Sequence, residues 1–228
     1  MLLRVLRSVL SRRREPTTAA PAVVMSEKSA PTVLNVGGGT KDIALPSHYK
    51  GWRHLLLDVD PRGGVDIVCD ARELLTKLPD QFDAVYCSHN LEHYFPHDSE
   101  RVLRGFVHVL KPDGFAEIRV PDIRSVMRAM IEQGLDIDDV LYQSDVGPIL
   151  VRDVIYGWHV EIERSGQDFY AHKTGFTARS LKAALHRTGF SHIALVPPIG
   201  IHEVRVFGFK QEPTVARLSA LGVPAERC

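Results

Sequence analysis

Three apolar runs end at or beside Asp58, Asp70 and His89, and a fourth ends in Gly37-Gly38-Gly39. Residues of these types can hold a nucleoside and work on what lies next to it. Asp58 falls 19 residues beyond Gly39, where a carboxylate can accept hydrogen bonds from both hydroxyls of a ribose. Asp70 can accept from an exocyclic adenine amine. The three glycines reach backbone angles closed to other residues and let a ligand approach the main chain. His89 leaves its run inside "SHNLEH", Ser88 to His93, where a neutral imidazole can take a proton from a hydroxyl or amine nucleophile. It is the candidate catalytic residue, with pocket shaping as its other reading. His89, His93 and His97 recur at steps of four with Glu92 among them, which on one helix would offer a metal three ligands. Pro96 argues against a helix continuous through His97, so no metal is expected and His93 is read as structural.

The elements that must position these residues follow from the apolar pattern. From Thr32 onward, short apolar runs alternate with helical patterns, as in a parallel sheet with crossover helices. Strands are expected at Val33–Val36, His54–Asp58, Val65–Cys69, Phe82–Cys87 and Phe115–Val120. Between the last two, "DSERVLRGFVHVLKPDG" reads as a helix capped by Asp98 and stopped before Pro112. "DIRSVMRAMIEQG" reads as a helix from cap Asp122 to stop Gly134, and "TARSLKAALHRTG" as one from Thr177 to Gly189. "SHIALVPP" and "EVRVFGFK" read as a closing antiparallel pair. In such a sheet, ligands bind outside the carboxyl ends of the strands, where the candidate residues fall.

A dinucleotide rests its pyrophosphate on a helix N-terminus. Here the glycines are followed by "KDIALPSHYKGW", which Pro46 and Gly51 interrupt, leaving room for about one helical turn. S-adenosylmethionine carries no phosphate, and the glycines can admit its methionine end against the main chain. At this point "VLNVGGGT", "LLLDVD", "DIVCDA", "FDAVYCSHNLEHY" and "VLKPDGFAEIRVPD" resemble, in order, the motifs of class I S-adenosylmethionine-dependent methyltransferases. They are most similar to a bacterial branch with the same "SHxLEH" segment and unassigned substrates. The resemblance implies an α/β, Rossmann-like, doubly wound sheet of seven mostly parallel strands with the last antiparallel. It also implies cofactor contacts from Gly37 and Gly39, from Asp58 to the ribose, and from Asp70 with Ala71 to the adenine. Asn35, Gly38 and Ser88 complete the candidate cofactor set. Asn35 stands where the family has an acid, and Gly38 where it has a cysteine or small residue. Asn35 can hydrogen-bond the methionine part without supplying a negative charge.

The reading is therefore a methyltransferase acting on an oxygen or nitrogen of an unidentified small or macromolecular acceptor. A non-catalytic scaffold of the same fold is one rival. A nicotinamide-dependent oxidoreductase is the other, disfavoured by the truncated first helix. Residues 135–176 form an insertion expected to act as a substrate lid, with "YGWHVE" and "DFYAHKTGF" as an acceptor wall. The domain is expected over residues 32–211, between a disordered leader at 1–31 and a tail at 212–228. Residues 1–24 carry five arginines against Glu15, a net of +4; since the whole chain balances 28 basic against 28 acidic residues, the remainder carries −4. That remainder gives no strong nucleic-acid signal. Residues 1–14 have the pattern of an amphipathic segment, suited to weak contact with a membrane surface or to organelle targeting. Cys69, Cys87 and Cys228 show neither metal nor disulfide spacing, which suits a cytoplasmic location.

Overall fold

The central strands are apolar on both faces because both faces are covered. In a computed structural model, which describes residues 30–79 and 81–224, β1 (Thr32–Val36) places Val33 and Leu34 in two different core clusters on opposite sides of the sheet. The expected leader and its amphipathic stretch fall, apart from residues 30 and 31, outside the described residues.

Parallel strands β2 (Arg53–Asp58), β3 (Ile67–Val68) and β4 (Phe82–Ser88) follow. Between β3 and β4 lie a 3₁₀ turn, Ala71–Glu73, and a short helix α1 (Leu74–Lys77). Helix α2 (Pro96–Val109) leads into β5 (Leu110–Pro121), and α3 (Ile123–Gln133) follows. The 135–176 segment holds a hairpin of β6 (Val140–Ser144) and β7 (Gly147–Leu150), then α4 (Val151–Tyr156) and α5 (His159–Ser165). Helix α6 (Ala178–Thr188), β8 (His192–Val196), β9 (Glu203–Phe209) and α7 (Val215–Ala220) complete the chain. The main sheet has seven strands in the order β3-β2-β1-β4-β5-β9-β8, with β9 antiparallel to both of its neighbours. The order reverses between β1 and β4, opening a crevice at their carboxyl ends.

One core layer packs α2 and α6 on the sheet, with Leu34, Val85, Phe106, Leu181 and Leu185 among its buried residues. The other packs Tyr49, Phe115, Phe207 and Phe209 with Leu218, Leu221 and Val223, so residues assigned to the tail cover the second face. A third, smaller cluster joins α3 to the insertion through Val126, Ala129, Leu141, Val151 and Val154.

Helix boundaries follow local chemistry. The Asp122 side chain accepts from the Arg124 N–H, and Thr177 and Ser180 form a reciprocal cap on α6. The expectation for Asp98 needs correction. Helix α2 starts at Pro96, whose fixed φ and missing N–H suit the first helical position, so Asp98 sits in the first turn rather than at the cap. The glycine loop is followed by a single 3₁₀ turn, Ser47–Tyr49. Among the described residues no helix is long and apolar enough to cross a membrane.

Candidate active site

A cleft of about 490 Å³ opens at the carboxyl ends of β1, β2 and β4, lined by Gly37, Gly39, Asp58, Asp70 and His89 among others. Gly37 and Gly39 have φ of +71° and +65°, left-handed angles that glycine takes without strain. A side chain on Gly37 would also lie 2.0 Å from the Asn90 amide nitrogen, so the bare main chain forms that wall. The Asp58 carboxylate accepts from Gly39 N–H at 3.1 Å and from Asp60 N–H at 3.0 Å. One acid at the end of β2 thus ties the glycine loop to the following turn and keeps lone pairs for a ligand. The Asp70 carboxylate is gripped by the Arg72 guanidinium at 2.6–3.1 Å and accepts from Arg72 N–H at 2.9 Å, while Arg72 also reaches Asp98 at 3.4 Å. Although burial pushes upward, Arg72 holds the Asp70 carboxyl below its ordinary range.

Four of the expected cofactor residues, Asn35, Gly38, Ala71 and Ser88, do not line the cleft. The Asn35 side chain is buried, its amide nitrogen 3.3 Å from His54 Nε2 and its oxygen without a donor. A side chain on Gly38 would meet that amide at 2.3 Å. The two departures from the family pattern are thus one packing arrangement, in which the amide fills the space that a residue-38 side chain would need. Ala71 is buried in the core beneath the Asp70 turn. Ser88 ends β4, half-buried, opposite Arg119.

His89 adopts φ of +50°, uncommon for a non-glycine residue, as the chain turns off β4. Its N–H donates to the Arg119 carbonyl at 2.9 Å, and its Nε2 lies 3.2 Å from Glu203 Oε2. Its Nδ1 lies 3.6 Å from Glu92 Oε1. The side chain is half-exposed in the cleft; the desolvation it does undergo pulls the imidazole pKa down, but the two carboxylates prevail and raise it to about 9. The neutral imidazole expected of a base at this position is therefore not the form its surroundings favour. Glu203 is itself fixed by Arg119 at 2.6 and 2.9 Å, and Arg119 donates to the Tyr86 hydroxyl at 2.9 Å.

The three histidines read at steps of four fall in three settings. His89 ends β4, His93 lies in the 3₁₀ turn Leu91–His93, and His97 is exposed in the first turn of α2. Of the insertion, Arg164, Phe169, Tyr170 and Lys173 reach the cleft. "YGWHVE" does not line it: His159 is bound to Asp153, and Tyr156 is exposed. Phe176 belongs to the core. Asn90, Arg62 and Tyr94 also line the cleft. Sequence reasoning passed over Asn90, although it lies inside the quoted "SHNLEH"; an amide two residues past a strand end was its only signal.

Sequence comparison decides the family. A model described as "Methyltransferase domain" matches residues 7–195, more than half of the chain. The chain belongs to this methyltransferase-domain family. Solved structures share the fold. A SAM-dependent methyltransferase from Archaeoglobus fulgidus is 17% identical with a TM-score of 0.51, over 79% of this chain and 86% of that one. A Pyrococcus horikoshii protein is 16% identical with a TM-score of 0.52, over 82% and 84%. No curated protein sequence matches the chain. The methyltransferase fold and family together imply S-adenosylmethionine as cofactor.

Proposed function

We propose that the protein transfers a methyl group from S-adenosylmethionine to an oxygen or nitrogen of an acceptor held against the 135–176 segment. The observation that carries this reading is the convergence of Gly37, Gly39, Asp58 and Asp70 on one cleft at the sheet's switch point. The residues present fit the cofactor. Asn90 lines the cleft with its amide nitrogen against the Gly37 wall and its Oδ1 buried without a donor, where an amino group supplies the missing bond. Asp58 is preset by two backbone N–H groups with lone pairs left for a ribose diol. Asp70 and Arg72 together offer an acceptor and a planar cation to an adenine edge. Bound S-adenosylmethionine supplies an electrophilic methyl on a sulfonium.

The chain's own contribution is positioning. The glycine loop and Asp58 fix one end of the cleft, and Phe169, Tyr170 and Lys173 wall the other. Lys173 Nζ lies 5.9 Å from the Phe95 ring and has no ion-pair partner among the described residues, so it favours an acceptor that carries an acidic or polar group. His89, braced by Glu203 and Glu92, shapes the wall between cofactor and acceptor. A glycine loop followed by a 3₁₀ turn rather than a full helix offers a pyrophosphate little, which speaks against the nicotinamide reading. Calorimetric titration with S-adenosylhomocysteine, S-adenosylmethionine and NAD tests the proposal. Binding of the two sulfur nucleosides and not of NAD is expected; binding of neither would overturn it.

A further inference from the structure

We infer that Glu92, His93 and His172 form a binding site for a divalent first-row metal ion, zinc fitting best, in the wall of the cleft. The set differs from the sequence pattern of steps of four. His172 arrives from the far end of the insertion, and His97 takes no part. The backbone pins the two pieces together: the N–H groups of Lys173 and Thr174 donate to the Glu92 carbonyl at 2.8 and 3.2 Å. One ligand atom from each of the three residues lies within 4.8 Å of the other two.

The hydrogen bonding around these atoms points to a cation. Glu92 is 1% exposed, and neither carboxylate oxygen has a donor within hydrogen-bond distance, the His89 Nδ1 standing 3.6 Å from Oε1. His93 Nδ1 contacts the Ala171 carbonyl at 3.2 Å, and His172 Nδ1 contacts the Val154 carbonyl at 3.0 Å. A carbonyl only accepts, so each Nδ1 donates its proton there and Nε2 is the ring atom left to face a ligand. Two ring nitrogens and a carboxylate thus converge, Glu92 buried and both histidines half-buried, with the His89 ring on the other side of Glu92. A buried carboxylate whose oxygens lack hydrogen-bond donors is stabilised by a cation bound among them. Metal-binding histidines are oriented in this way, with the other ring nitrogen donating to a carbonyl.

Two imidazoles and one carboxylate form a mixed nitrogen and oxygen set, which suits zinc and its first-row neighbours better than magnesium or calcium. Ligands at 2.0–2.1 Å around a tetrahedral ion sit about 3.4 Å apart. Glu92 Oε1 and His172 Nε2 are 4.0 Å apart, so small side-chain rotations bring them to bonding distance. His93 lines the cleft, so the remaining coordination position opens toward it. On the methyltransferase reading, on which this one clause rests, that position takes an acceptor hydroxyl.

The test uses the full chain without a histidine tag, stripped with a chelator and titrated with zinc alone. One tightly held zinc per chain is expected, with a rise in melting temperature. Glu92→Gln and His172→Gln are expected to weaken binding by at least about 100-fold. His97→Gln should leave it unchanged. Equal zinc affinity in wild type, Glu92→Gln and His172→Gln would overturn the site, as would failure of zinc, manganese and ferrous iron alike to bind. Nitrogen NMR of the metal-free chain supplies a second arm: protonated Nε2 on both rings at neutral pH, undisturbed by zinc, would show that protons fill the space instead. S-adenosylhomocysteine titration of the same samples separates loss of the metal from loss of the methyltransferase reading.

Discussion

Among single residues, Asp58 carries the clearest prediction. Asp58→Ala removes the candidate ribose acceptor and the tether on the glycine loop, at about 1.5–3 kcal/mol per charge-assisted bond. S-adenosylhomocysteine affinity should fall at least tenfold by calorimetry, with the circular dichroism of the fold retained. Unchanged affinity would remove Asp58 from the site. Asn35 and Gly38 make a second test, because the structure couples them. Gly38→Ala should lower the melting temperature, and Asn35→Ala in the same chain should recover part of the loss. A double-mutant cycle with a coupling of about 1 kcal/mol is expected, and strict additivity would refute the contact. Both departures were visible in the sequence as separate oddities. Their connection was not, because it exists only in the 2.3 Å between an amide and an absent side chain. His89 was legible in the same partial way. Its place at a strand end was readable, but the Glu203 that holds it comes from a strand 114 residues away. Glu203 contributes to the stability of the fold in acid. Despite its burial, bonds from His89 and Arg119 hold its carboxyl at about 2, against 4.5 for a free glutamate. A depressed carboxyl stabilises the fold above the unfolded value and loses that contribution as pH falls, here between 4.5 and about 2 and worth about 3 kcal/mol. Glu203→Gln should flatten the fall in stability over that window, as read from urea unfolding at several pH values.

Among the elements, α2 shows how packing overrides propensity. An internal helical glycine replaced by alanine ordinarily gains about 1 kcal/mol. Gly105 faces α1 so closely that a new Cβ would lie 2.8 Å from the Leu74 Cβ, an atom fixed by the backbone that no rotamer change can move aside. Gly105→Ala is therefore expected to destabilise the protein, and a raised melting temperature would refute the close approach. The long apolar strands and the capped helices α3 and α6 were readable because their periodicity and end residues agree. The start of α2 was misplaced because Asp98 competed with Pro96, and the proline's fixed geometry prevails. The strand expected over Val65–Cys69 shrinks to Ile67–Val68, where an edge strand has one partner and little to pair with. The insertion hid its elements for a related reason. Its own core is small and shared with α3, so few positions need to be apolar.

At the scale of the whole molecule, the sheet is complete from Thr32, whose N–H donates to Asp83 at 2.8 Å, and nothing before β1 joins it among the described residues. A chain lacking residues 1–24 is therefore expected to fold and to bind S-adenosylhomocysteine as the full chain does. Loss of either property would assign the leader a part in the domain. The seven strands and the antiparallel last one were legible from the resemblance; alternating runs fix parallel pairing and leave the order of strands open. One feature of that order reaches beyond the finished protein. Because β9 lies between β5 and β8, the strand that supplies Arg119 keeps an open edge until β9 has left the ribosome. Glu203, which braces His89 and neutralises Arg119, arrives with that same strand. A nascent chain halted before residue 203 has every glycine and acid of the cofactor cleft, yet lacks the brace behind its candidate catalytic histidine. Synthesis itself thus imposes an order: the cofactor pocket can be made early, and the reacting wall is set only once β9 has been translated.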